Sequence, residues 1–377
     1  MSLFDNDNYL TRVVLIPSAV FLSAIFGGAY GSGREVVEFM TRYGPIGGLL
    51  SIVSIALAFA GCLFVCFEVS RLTGAYDYRS FGRALLRGAS PLYEAVLIIA
   101  LLLALAINAT ASGTLIAGHF GYPPASAVGL FLLAVVVLTF FGRRIVEASM
   151  VLAFAALTMI LAVLAWIVAA EHGDAVVASF SATSRGVDGI GAGLSVALAT
   201  GGLIPLLLFC GRGLRTRGEA GVAAICAGFC GIIPAVVFHL CFTLLYPQII
   251  DDELPTYRLI ADVAPALVLN VYVVVLFWQM IQTGVAVLWG MLEALATMPL
   301  GRRLRLSSAW GRAAISASAI AIALVLTSIG LIGLIVQRNS LLFVAFLLVF
   351  WLPLLTRGLS ILFRAPPKTA VALEGQA

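Results

Sequence analysis

The chain has 377 residues, 62% of them hydrophobic and only 11% charged, with a formal net charge of +4. A soluble globular domain carries about 25% charged residues. This composition therefore excludes an ordinary soluble enzyme or nucleic-acid-binding module. It describes an all-α polytopic membrane protein, 1–377, whose solvent is the lipid bilayer.

The N-terminus, Met1 to Leu10, is polar, carries Asp5 and Asp7, and lacks a cleavable signal pattern, so it reads as a short cytoplasmic tail. An apolar run of about 20 residues crosses a bilayer. Such runs follow at 11–43, 46–71, 91–118, 123–142, 144–170, 187–212, 218–246, 257–298, 311–336 and 339–363. The eighth is too long for one straight span, and its start, from Tyr257 to about Pro265, reads as a separate surface helix.

The first run contains Phe21-Leu-Ser-Ala-Ile-Phe-Gly-Gly-Ala-Tyr-Gly-Ser-Gly-Arg-Glu35. Gly27, Gly28, Gly31 and Gly33 fall where a spanning helix should be continuous. A break inside hydrocarbon frees backbone N–H and C=O groups, and it is tolerated only where protein, ligand or water satisfies them. The sixth run has a matching interruption, Ala199-Thr-Gly-Gly-Leu-Ile-Pro205. Gly201 and Gly202 permit unwinding, and Pro205 lacks an N–H and crowds the preceding turn. By contrast, Gly47/Gly48 and Gly191/Gly193 read as close helix packing.

Loop lengths repeat. Spans 1 and 2 are joined tightly, as are 6 and 7, whereas longer linkers separate 2 from 3 and 7 from 8. The chain divides into two five-span halves, approximately 11–170 and 187–363. An odd number of spans per half forces opposite orientations, the inverted repeat of many carriers. With the N-terminus inside, most of the 22 Lys and Arg residues fall on the inner side, and acidic Asp251, Asp252 and Glu253 fall outside. Both termini are then cytoplasmic, and a bacterial inner membrane is the expected location.

A half-helix starting near Ser32 directs N–H groups and a positive dipole end into the site, which suits a carboxylate. The carbonyls from Ser23 through Phe26 to Gly27 suit a cation. The predicted solute contacts on span 1 are Gly27, Gly28, Ala29, Tyr30, Gly31, Ser32, Gly33 and Arg34, and on span 6 they are Thr200, Gly201 and Gly202. Arg34 and Glu35 are candidates for gating, by pairing with each other or with neighbouring helices. Glu68 reads as a partner for an inner-loop arginine. The six cysteines all fall in apolar segments and read as packing. His239, alone on an apolar helix, reads as a satisfied packing residue. Trp278, Trp289 and Trp351 read as packing or interface anchors.

The stretch Gly27-Gly-Ala-Tyr-Gly-Ser-Gly-Arg-Glu-Val-Val-Glu-Phe-Met40, followed by Tyr43-Gly44, resembles the first helix of YkvI-like bacterial membrane proteins. Their pattern is roughly G-A-G-x-A-S-G-Q-E, then an apolar stretch and Tyr-Gly. This chain departs from it at Gly28, Ala29 and Arg34, where the family has Ala, Gly and Gln. The resemblance implies the LeuT-type 5+5 fold of the amino acid–polyamine–cation transporters, about 10 transmembrane helices with helices 1 and 6 broken. It implies a solute held among spans 1, 3, 6 and 8, which brings in Asn108 and Gln279. It also implies that Thr283, on span 8, with span 1 carbonyls, holds a sodium ion.

The expected function is a secondary active transporter, monomer or homodimer, of an amino acid or related zwitterion or carboxylate. Sodium or a proton is the coupling ion, and no other cofactor, metal or catalytic residue is expected. A channel or an integral membrane enzyme is the alternative. Neither a repeated filter ring nor a His or acidic cluster with metal spacing is evident.

Overall fold

The computed structural model describes residues 8–25, 28–141, 143–181, 187–296 and 309–364, and every regular element among them is helical. Seven of these helices are long and apolar enough to cross a membrane. Asp188–Gly201 and Ile204–Gly213 meet the same test when taken together and are bent by 74° at the break between them, and Leu10–Ile25 and Pro124–Phe140 are shorter apolar helices.

Span 1 consists of α1 (Ile16–Ile25, preceded by a π-helical turn Leu10–Leu15) and α2 (Arg34–Phe39). Span 2 is α3 (Gly44–Thr73), with Pro45 in its first turn. Span 3 is α5 (Ser90–Phe120), span 4 is α6 (Pro124–Phe141) and span 5 is α7 (Arg143–Ser181). Span 6 is α8 (Asp188–Gly201) and the 3-10 stretch Ile204–Gly213. Span 7 is α9 (Arg217–Gly231) and α10 (Ile233–Phe242), and span 8 is α12 (Ala266–Ala296). Span 9 is α13 (Ala309–Leu326), and span 10 starts with α14 (Leu331–Phe346).

Several boundaries differ from the sequence reading. The linker between spans 2 and 3 contains α4 (Tyr78–Leu86), whose N-cap Asp77 accepts from the N–H groups of Arg79 and Ser80. The surface helix expected before span 8 is α11 (Pro255–Val263). Span 7 is divided at Ile232, just before Pro234, where proline removes a helical donor. Helix α7 runs past position 170 to Ser181, because its polar tail still propagates a helix after the apolar run has ended. The turn between spans 9 and 10 lies at Thr327–Gly330, with Gly330 at φ +82, and not at Gln337-Arg338. Arg338 and Asn339 therefore sit inside a spanning helix.

The helices sort into two groups. In one, α3 packs against α8 and α9, and α1 against α9. In the other, α12 packs against α5 and α6, and α5 against α13. The spans α7 and α14 bridge them, α7 meeting α10 and α12, and α14 meeting α8 and α5. The first group is drawn tight by small residues, with Gly189 against the Gly47 carbonyl and Gly193 against that of Ser51.

Charge sorts the two ends. At one end Arg12 donates to Glu219 at 2.7 and 2.8 Å, Arg71 to Glu68 at 2.6 Å and Arg79 to the Ala294 carbonyl at 2.9 Å. At the other, Arg258 pairs with Asp252 at 3.3 Å and Thr114 donates to Glu253 at 3.2 Å. We call these the arginine end and the acidic end. Glu68 has the arginine partner expected for it.

Candidate functional site

Span 1 leaves α-helical geometry after Ile25. Gly28–Ser32 forms a 3-10 turn, Gly33 adopts φ +79, and α2 begins at Arg34. Gly28 has φ +42, and a Cβ on it would overlap Asn108 Oδ1 and lie 2.7 Å from Thr283 Oγ1. Only glycine lets this backbone lie against α5 and α12 together. Asn108 anchors its amide by donating to the Ala104 carbonyl at 2.8 Å, and Thr283 donates to the Gln279 carbonyl at 3.0 Å. The buried Tyr272 hydroxyl, also from α12, donates to the Gly31 carbonyl at 3.1 Å.

Span 6 breaks at Gly202 and Leu203, and Pro205 opens the 3-10 stretch that follows. The buried Tyr93 hydroxyl of α5 donates to the Gly202 carbonyl at 2.8 Å, and Trp351 Nε1 donates to that of Leu198 at 3.0 Å. A Cβ on Gly202 would overlap the Phe346 ring. Among the described residues, the carbonyls of Gly31, Leu198 and Gly202 at the breaks are thus met by side-chain donors, as a water-poor environment requires.

The two breaks face each other across a cavity of about 220 Å³. Its polar lining is Tyr30, Glu35, Asn108, Thr200, Thr283 and Arg338, and its apolar wall is Ala24, Ile25, Ala100, Leu101, Ala104, Ile107, Leu203 and Val287. Arg338 Nη1 donates to Glu35 Oε1 at 3.1 Å, with each side chain 17% exposed, so one carboxylate and one guanidinium cover the acidic end of the cavity.

Of the residues singled out in the sequence, Tyr30, Glu35, Asn108, Thr200 and Thr283 line the cavity, whereas Gly28, Gly31, Ser32, Gly33, Gly201 and Gly202 belong to the adjoining breaks and are not part of its lining. Phe26 and Gly27 lie outside the described residues, as does the side chain of Ala29. Three residues stand elsewhere. Arg34 is fully buried away from the cavity and donates to the carbonyls of Ile250 and Asp252 at 2.7 and 2.8 Å and to Glu38, which also pairs with Arg42 at 3.1 Å. It pins α2 to the loop before α11, because its long side chain leaves the helix about 100° away from that of Glu35, which lines the cavity. Ser23 is exposed and donates to its own helix at the Val20 carbonyl, 2.9 Å away. Gln279 is buried outside the lining. The half-helix expected to present its dipole, α2, has only six residues, and its first N–H already donates to Ser32 Oγ at 3.3 Å.

Arg338 escaped the sequence reading because Gln337-Arg338-Asn339 looks like a loop, and the only signal against it was Gly330 a little upstream. Tyr93 and Tyr272 also escaped it, although each is a hydroxyl near the start of a mostly apolar span. His239 is buried and satisfied, with Nε2 2.8 Å from the Pro45 carbonyl and Nδ1 3.0 Å from Thr41 Oγ1. Cys62 and Cys66 face one another at 4.0 Å as packed thiols. Among the described residues, no group of three or more His, Cys, Asp or Glu is placed to hold a metal ion.

No family model matches the chain, and neither does any curated protein. Solved structures do match. A crystal structure of a mutant manganese transporter from Eremococcus coleocola superposes with a TM-score of 0.56 at 15% identity, over 93% of this chain and 80% of that one. The same transporter bound to an aromatic bis-isothiourea substituted compound gives 0.53 at 14% identity, with the same coverage. At this identity the likeness lies in the backbone: the chain has the all-helical fold of a multi-pass membrane transporter.

Proposed function

We propose that the protein is a secondary carrier for a small organic solute, an amino acid or related zwitterion or carboxylate, working by ion-coupled alternating access. The observation that carries this reading is the cavity of about 220 Å³ lined by both helix breaks, α5 and α12. That volume is below the roughly 300–1,000 Å³ of sites for drug-sized ligands. Glu35 and Arg338 offer a zwitterion one partner of each sign, and the aliphatic wall suits a small apolar side chain. Their ion pair, bridging α2 and α14, acts as the gate at the acidic end.

The two helix groups support a LeuT-type 5+5 inverted repeat, in which the group with α1, α3, α8 and α9 rocks against the group with α5, α6, α12 and α13. Asn108 Oδ1, Thr283 Oγ1 and the carbonyls ending α1 are all oxygen donors, which suits sodium, with a proton as the other coupling ion. The first and last described helices reach the arginine end through Arg12, which donates to the Gly213 carbonyl, and Arg357, which donates to that of Leu85, and the positive-inside rule assigns this end to the cytoplasm of a bacterial inner membrane. Manganese is the cargo of the structurally similar transporter. Here the cavity offers one carboxylate, already engaged by Arg338, and this favours an organic solute.

The test is counterflow in proteoliposomes with a panel of amino acids, small carboxylates and Mn²⁺, with and without a sodium gradient. Saturable exchange of an amino or organic acid is expected. Exchange of Mn²⁺ alone, or of nothing on the panel, overturns the reading.

A further inference from the structure

The two buried tyrosines at the breaks form a matched pair. Tyr272 lies near the start of α12, at the acidic end, and holds the carbonyl of Gly31 in span 1. Tyr93 lies near the start of α5, at the arginine end, and holds the carbonyl of Gly202 in span 6. Both tyrosines belong to one packed group of helices, in which α5 and α12 are in direct contact. Both glycines belong to spans whose longer helices pack in the other group. Each phenol–carbonyl bond therefore crosses the seam between the groups, one toward each end. A buried carbonyl that loses its donor is costly unless water replaces it. If one group tilts on the other, the seam widens at one end, water enters there, and the bond at that end is the one that can be given up.

We propose that Tyr93 and Tyr272 are paired positioning residues that hold the two ends of the site closed in alternation. The bond from Tyr272 to Gly31 is made when the acidic end is shut, and the bond from Tyr93 to Gly202 when the arginine end is shut. This deepens the carrier reading and rests on it. Trp351, which holds the Leu198 carbonyl at the span 6 break, belongs with Tyr93, and the Glu35–Arg338 pair belongs with Tyr272. Neither tyrosine needs to touch the solute: neither lines the cavity, and each holds a glycine carbonyl one residue away from a lining residue, Tyr30 or Leu203.

The experiment is hydrogen–deuterium exchange on the full chain in lipid nanodiscs, read separately over Arg34–Phe39 and Ile204–Gly213. Tyr272→Phe is expected to raise exchange about tenfold in the first segment and to lower it in the second, the equivalent of one lost buried hydrogen bond. Tyr93→Phe is expected to give the mirror image. Trp351→Phe and Arg338→Gln are the second members of the two sets. Each is expected to move exchange in the direction of the tyrosine variant at its own end, and they stand in if a tyrosine variant fails to purify. A merely structural role raises exchange next to the lost bond and leaves the opposite segment unchanged, and that result overturns the proposal. Wild-type counterflow separates the two ideas. Saturable exchange without the reciprocal pattern removes the tyrosine pair and leaves the carrier, whereas the reciprocal pattern with no counterflow removes the carrier and leaves a two-state seam.

Discussion

The breaks in spans 1 and 6 are alike in plan and unlike in chemistry. Each has glycines at the bend and a tyrosine hydroxyl on a freed carbonyl. The span 1 break carries two positive-φ glycines, Gly28 and Gly33, and faces the amide of Asn108 and the hydroxyl of Thr283. At the span 6 break Gly202 keeps φ −62, and its surroundings are the rings of Phe346 and Trp351. Polar oxygens thus face one break and aromatic rings the other. The same glycine-rich signature therefore meets two different environments, decided by what the neighbouring helices bring to it.

Substitutions can break that comparison, beginning with the largest expected effect. Gly28→Ala places a Cβ into Asn108 at a backbone angle that L-residues rarely adopt. It is expected to cost uptake about tenfold or more through solute affinity. Gly202→Ala meets the Phe346 ring and is expected to slow turnover while leaving the half-saturating concentration nearly unchanged. Uptake kinetics in proteoliposomes check both, and matching effects on affinity would erase the distinction between the breaks.

Arg34→Met should act on stability, not on recognition. Removing one partner of a buried ion pair costs about 3–5 kcal/mol, and Glu38 keeps Arg42, which places the expected loss at the lower end. A lowered Tm in detergent with unchanged affinity is the expected outcome. Altered solute selectivity with unchanged Tm would return Arg34 to the site.

Asn108→Ala is expected to raise the half-saturating solute or sodium concentration about tenfold, in line with the loss of a buried hydrogen-bonding group. Which of the two shifts tells whether the span 1 break binds solute, ion or both. The smallest effect is expected from Arg258→Gln, whose pairs with Asp252 and Asp262 are solvent-exposed. Such pairs contribute about 0–1 kcal/mol, and this variant serves as a control for Arg338→Gln, which removes a pair that covers the cavity.

Much of this architecture is legible in the chain alone. Long apolar runs fix helices, because only a helix satisfies its own backbone in hydrocarbon. Glycine clusters with Pro205 fix where two of those helices break, because the effect is local to the backbone. Arginine placement sorts the two ends. The direction of a side chain is not written there. Arg34 and Glu35 are adjacent, yet one pins a loop and the other covers the cavity, because neighbours in a helix point about 100° apart. Arg338, Tyr93 and Tyr272 reach their partners across roughly a hundred residues or more of sequence. Such contacts arise only when helices pack, so the tertiary structure alone decided which polar groups meet at the breaks.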